Sequence, residues 1–168
     1  MTARNECKEL LTRYAIARIP FIALHTVYGV ANLTPENCGS SDRDYVVVSH
    51  GHTSAGVYAA LAAWGFFDAV EAVSHFRSCG SVFQGHVERD IPGVDWGTGN
   101  LGQGLSAGVG FALAQRARGC KGRTYVLMGD GGQTKGQLAE ARRMAVKEEL
   151  ENLVALVDWN GIQISGNL

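Results

Sequence analysis

Two hydrophobic runs in this 168-residue chain each end in a polar tip whose side chains suit a hard cation. The first tip is Gly129-Asp130-Gly131, directly after Val126-Leu-Met128. The second is Asp158-Trp-Asn160-Gly161, after the run at 153–157. An Asp carboxylate, an Asn carbonyl and a nearby backbone carbonyl are the oxygen ligands that Mg²⁺ or Ca²⁺ prefers. A cation held by so few protein oxygens needs others, and a diphosphate supplies them. Taken alone, each tip reads equally as an ordinary Asp or Asn turn. Histidine is the other chemical resource, because its charge changes near neutral pH. His52 and His86 lie in glycine-containing turns. His50 shares the first of those turns, while His25 and His75 fall in helical stretches and read as structural.

These side chains need a frame. Strand-like runs fall at 45–48, 124–128 and 153–157, short and β-branched, and read as buried strands. Between and before them lie segments of helical period at 5–19, from Pro20 onward (Phe21, Leu24, Val27 and Tyr28 as its stripe), at 54–64, 68–76, 102–118 and 137–150. Strands alternating with helices predict an α/β fold, a three-layer α/β/α arrangement around a mostly parallel sheet. In such sheets ligands gather at the carboxyl ends of strands, which is where both polar tips fall. Residues 34–43 read as a polar loop and 50–53 as a turn. Residues 78–101 have no period and hold five glycines, a length at which loops are usually functional.

Composition sets the bounds. The length fits one domain, taken here as residues 1–168. The net charge of −1, from 15 basic and 16 acidic residues, predicts neither a nucleic-acid partner nor an anionic membrane surface. No run approaches the roughly 18 apolar residues of a membrane span, and the first nine residues do not form a signal peptide. The four cysteines are widely spaced, without zinc spacing, and read as reduced thiols of a cytoplasmic protein. Glycine is plentiful at 22 residues, which suggests tight turns and backbone close to a ligand.

Asn160 stands 30 residues after Asp130, and this spacing of a Gly-Asp-Gly and a later Asn resembles the thiamine diphosphate signature. Four further blocks resemble transketolases, in family order. They are Ser49-His-Gly-His-Thr53, Gly85-His-Val-Glu-Arg-Asp-Ile-Pro-Gly93, Gly97-Thr-Gly-Asn-Leu-Gly-Gln-Gly-Leu-Ser106, and the pair Lys135-Gly136 with Asp158-Trp-Asn-Gly-Ile-Gln-Ile164. The likeness spans roughly residues 12–166 and implies the thiamine diphosphate-binding fold, shortened at both ends. It implies thiamine diphosphate and Mg²⁺ (or Ca²⁺) as cofactors. Asp130, Asn160 and the backbone carbonyl of Ile162 would hold the metal, and Gly129 and Gly131 would lie along the diphosphate. Gly99 and Leu101 would pack by the cofactor rings, and His52 and His86 would be catalytic groups in the substrate channel.

The chain departs from the transketolase pattern in three places. The S-G-H-P-G-G turn of the family is missing, and with it one catalytic histidine. Lys135 stands where many members carry Glu near the subunit interface. The pyrimidine domain, with the glutamate that activates the cofactor, is also absent from these 168 residues. The expectation is therefore one subunit of a split transketolase, acting on sugar phosphates with a pyrimidine-domain chain, in a homo- or hetero-oligomer. Alternatives are a subunit of a deoxyxylulose-phosphate synthase or 2-oxo acid dehydrogenase type enzyme, or a non-catalytic remnant that binds a partner.

Overall fold

The three apolar runs become one parallel sheet in the computed structural model, which describes residues 18–163 and 166–167. Its strands are β1 (Tyr45–Val48), β2 (Thr124–Gly129) and β3 (Leu153–Asp158), in the order β1-β2-β3. Val48 pairs with Leu127, and Gly129 pairs with Asp158. That register sets the ends of β2 and β3 side by side, so the two polar tips of the sequence are neighbours in space.

Alternation along the strands gives the sheet two apolar faces, each covered by helices. Val46, Val48, Tyr125 and Leu127 belong to a core shared with α1 (Arg18–Val30), α2 (Ser54–Ala63) and α3 (Ala69–His75). Val47, Val126 and Met128 face the other way, toward α4 (Gly104–Ala117) and α5 (Gly136–Lys147). The three-layer α/β/α expectation holds. Helix α2 is apolar on every side and buried over residues 54–62, as an all-round hydrophobic helix must be. The small residues of α4 bring it close to the sheet. A Cβ on Gly108 would lie 2.3 Å from Val126 Cγ2, so only glycine fits at that crossing.

Several expectations shift. The first helical segment, 5–19, lies almost entirely outside the described residues. Pro20 falls inside α1 rather than at its first residue, within the first turn where proline's missing N–H costs nothing. The third strand is not buried as expected: Leu156 and Val157 are 36% and 38% exposed, because β3 lies at the edge of the sheet. A two-stranded antiparallel pair, β4 (Ile162–Gln163) with β5 (Gly166–Asn167), follows it and has no counterpart among the expected elements. Both of these histidines lie on helices, outside the strand tips. His25 Nδ1 accepts a hydrogen bond from Trp64 Nε1 at 3.1 Å, and His75 lies on its own helix turn. Cys38, Cys79 and Cys120 are free thiols.

The aperiodic stretch between α3 and α4 carries no helix or strand, yet it is firmly held. Phe83, Val87 and Ile91 are buried in the first core. Asp95 forms a bidentate, nearly buried ion pair with Arg43, at 2.6 and 3.0 Å. Arg43 also donates to the carbonyls of Cys38 and Asp44 and sits 4.4 Å over the Tyr45 ring. The Tyr58 hydroxyl donates to the Gln84 carbonyl at 3.0 Å. The loop is thus fastened to β1 and to α2, the elements on either side of the first histidine turn.

Candidate functional site

β1 ends at Val48, and the chain turns through Ser49 and His50 into a single 3₁₀ turn, Gly51–Thr53. His52 is carried on that turn, and three contacts fix its position. The Val87 N–H donates to the Gly51 carbonyl at 3.2 Å. Both the N–H and the hydroxyl of Thr98 donate to the Val87 carbonyl, at 3.0 and 2.8 Å. Thr98 also lies flat against Gly51, where a Cβ would come within 1.8 Å of Thr98 Oγ1. One threonine therefore joins the turn bearing His52, the loop bearing His86 and the segment bearing Gly99. The Gly104 N–H donates to Ser49 Oγ at 3.2 Å and holds the start of α4 against the same turn.

At the other strand tips, Asp130 opens a 3₁₀ turn, Asp130–Thr134, that leads into α5. Its carboxylate is 2% exposed and accepts the Gly131 N–H at 2.8 Å and the Gly161 N–H at 2.6 Å. The second of these bonds ties the Asn160-Gly161 turn directly to Asp130. Asp158 lies close by. Burial pushes its carboxyl above the usual carboxylate range, and so does the negative charge of Asp130, while a hydrogen bond with Asn160 acts in the opposite direction. The ion pairs of the described residues are Arg43–Asp95 and Arg116–Glu148, so neither carboxylate meets a cationic side chain.

These groups surround one cleft of about 730 Å³, a volume suited to a cofactor-sized molecule. His52, His86, Gly99, Leu101, Gly129, Asp130, Gly131 and Asn160 all line it. Ile162 begins β4, next to Gln163, which lines the cleft. Gly99 meets nothing within 4 Å of where a Cβ would stand, so the backbone there presents an open surface to a ring. His52 is exposed at the cleft; the burial it does have lowers its pKa, and so does the nearby His86 charge. Among the described residues, no three His, Cys, Asp or Glu side chains converge as a cage for a metal. A paired-carboxylate corner, one amide and an adjacent open cleft instead suit a cation that shares its oxygens with a bound anion. The residues present therefore fit a metal–diphosphate group.

Several contributors carry little signal of their own in the sequence. Asp158 reads only as part of a tip, and Ser49 and Thr98 only as motif letters. Gln133 also lines the cleft, and its amide donates to the Gly129 carbonyl at 3.1 Å. The partner of Thr98 lies 47 positions away and is a glycine, whose missing side chain is the only signal a sequence offers. Lys135 Nζ donates to Asn100 Oδ1 at 3.2 Å, linking the loop before α4 to the start of α5.

A family model described as transketolase, thiamine diphosphate binding domain, matches residues 21–168. Among curated proteins, the chain is 39% identical over 139 residues to an apulose-4-phosphate transketolase subunit of Phocaeicola vulgatus, covering 83% of this chain and 49% of that one. It is 37% identical over 140 residues to a 6-deoxy-6-sulfo-D-fructose transketolase subunit of a Clostridium species, covering 83% and 50%. The transketolase of Kluyveromyces lactis is 38% identical over 156 residues, covering 87% and 23%. Among solved structures, a transketolase variant from Pichia stipitis in complex with fructose 6-phosphate superposes with a TM-score of 0.82 at 37% identity, over 86% of this chain and 23% of that one. The chain thus spans about half the length of the subunit relatives and about a quarter of the others.

Proposed function

The chain belongs to the transketolase thiamine diphosphate-binding domain family, and from that premise we propose that it is the diphosphate-binding subunit of a split transketolase. Together with a pyrimidine-domain chain it transfers a two-carbon ketol group between sugar phosphates. The observation that carries this reading is the convergence of Asp130, Asn160, Gly99, His52 and His86 on one cleft. The two relatives named as transketolase subunits, each matched over about half of its own length, support the division between chains.

In this reading Asp130, Asn160 and the Ile162 carbonyl would hold Mg²⁺ (or Ca²⁺), which would anchor the diphosphate in the cleft. Gly129 and Gly131 let the backbone lie along the phosphates. The Asp130 carboxylate is already oriented by two backbone N–H groups, so binding does not have to arrange it. Thiamine diphosphate, when bound, supplies the carbon centre that takes up the two-carbon unit. Leu101 and Gly99 form the wall beside its rings. His52 and His86 bind substrate hydroxyls and move protons to or from them near neutral pH. The lowered pKa of His52 keeps it neutral at pH 7, able to accept a proton. The His52 turn and the metal corner lie at the carboxyl ends of the same sheet, so cofactor and sugar phosphate would meet in one cleft.

The reading places the protein in the cytoplasm, in an oligomer. No helix of the described residues is long and apolar enough to cross a membrane. Calorimetric titration of the chain with thiamine diphosphate and Mg²⁺, alone and with a candidate pyrimidine-domain chain, tests it. Metal-dependent binding is expected, followed by ketol transfer from a ketose phosphate in the reconstituted pair. Turnover with pyruvate as donor in place of a ketose phosphate would assign the subunit to another thiamine diphosphate enzyme. Absence of binding in both settings would overturn the assignment.

A further inference from the structure

His50 lies between the two halves of the site, and neither half uses it. It lines the cleft and is 5% exposed. Its Nδ1 lies 3.3 Å from the Leu127 carbonyl, which can only accept, so the proton of the neutral ring sits on Nδ1. Its Nε2 then carries a lone pair. That atom is buried and has no hydrogen-bond partner among the described residues. The His52 ring lies 6.1 Å away edge-on, and the Gly129 backbone passes beside the His50 Cβ. Burial, and next the His52 charge, push the His50 pKa down to about 4, so the ring stays neutral at physiological pH.

A buried acceptor left without a donor is costly, and native proteins seldom keep one without a use. Because the Nδ1 contact fixes the tautomer, this acceptor cannot become a donor by moving its proton to Nε2 without losing the Leu127 bond. We propose that His50 Nε2 is a ligand-binding acceptor that takes a hydrogen bond from a neutral donor on the molecule bound in the cleft. The proposal rests on the thiamine diphosphate reading above. Two sources offer such a donor: the amino group of the cofactor's pyrimidine and a hydroxyl of a ketose. A carboxylate or an ionised phosphate offers none. His50 therefore works as a filter that favours hydroxylated or amino-bearing groups at this point and disfavours an acceptor-only anion.

The chain has five histidines, so a ¹⁵N-histidine-labelled sample gives a spectrum in which His50 is identified by its loss in His50→Phe. Free protein should show a protonated Nδ1 and an unprotonated Nε2 for this residue. Thiamine diphosphate with Mg²⁺ is added first, then fructose 6-phosphate, with binding followed by calorimetry. Movement of the Nε2 signal toward its hydrogen-bonded position with the cofactor alone identifies the aminopyrimidine as donor. Movement after the ketose only identifies a hydroxyl. Pyruvate should leave the signal in place. His50→Phe should bind the molecule that moved the signal about 2- to 10-fold more weakly. An unmoved Nε2 despite measurable cofactor binding overturns this proposal and leaves the functional reading standing. So does protonation of Nε2 on binding, or an equal response to pyruvate. Absence of cofactor heat in the wild type, with or without a pyrimidine-domain chain, overturns both.

Discussion

Replacing Gly51 by alanine tests whether the two histidine-bearing loops are held as one unit. The new methyl would lie 1.8 Å from Thr98 Oγ1, 2.2 Å from its Cβ and 2.5 Å from its Cγ2. Thr98 cannot swing away cheaply, because its N–H and hydroxyl both bond to the Val87 carbonyl. Overpacking of this kind costs about 1–3 kcal/mol, and loss of the hydroxyl bond adds about 1 kcal/mol. Gly51→Ala should therefore lose about 2–4 kcal/mol of stability. Thr98→Gly removes all three clashing atoms and should cost about 1–2 kcal/mol alone, through the lost bond and the looser unfolded chain. In the double variant nothing clashes, so its loss should fall short of the summed single losses by about 2–4 kcal/mol. Urea denaturation of the four proteins measures this. In ¹⁵N-histidine spectra, His52 and His86 should both shift in Gly51→Ala and return in the double variant, since the Gly51 carbonyl also accepts from Val87. Additive losses within about 0.5 kcal/mol, or a shift in only one histidine, would refute the reasoning.

Asp130→Ala should abolish metal-dependent binding of thiamine diphosphate, read from the fluorescence of Trp159, which is 75% exposed beside Asn160; unchanged affinity would refute the metal assignment. Asp95→Ala leaves the Arg43 guanidinium buried and unpaired and should cost about 3–5 kcal/mol, while Arg43→Met with Asp95→Leu should cost clearly less; chemical denaturation decides between them. His50 supplies a pH prediction. Its folded pKa of about 4 lies below the ordinary 6.5, so the unfolded chain takes up a proton first as the pH falls. Stability from this group is whole above pH 6.5 and is lost progressively down to about pH 4, by up to about 3 kcal/mol. His50→Phe should flatten that acid limb, and equal pH slopes in the two proteins would contradict it.

The elements of this fold are legible where local pattern decides them. Val46 to Val48 and Val126 to Met128 are apolar on successive positions, as strands covered on both faces must be. Asp130 and Asn160 are legible because each stands within two residues of a strand's end. The exposure of β3 is not legible, since Leu156 and Val157 look like core residues and only the strand order makes them an edge. The short β4–β5 pair has no apolar period to announce it. The Arg43–Asp95 pair joins positions 52 apart, and no local rule links an arginine before β1 to an aspartate in a loop. His50 reads in the sequence only as a second histidine of one turn, and its meaning comes from the Leu127 carbonyl that fixes its proton.

The bonded junction at Thr98 has a consequence for how such a protein diversifies. A pocket that adapts to each sugar by loop movement needs walls that move separately. Here Val87, next to His86, donates its N–H to the turn of His52 and accepts at its carbonyl from Thr98, which packs on that turn, so displacing one drags the other. New substrate preferences would arise by exchanging side chains along a fixed frame, or through residues contributed by another chain. Changes in loop length would be tolerated far from the junction, as around the exposed Cys79 and Gly80, where an extra residue leaves the spacing of the two histidines unchanged.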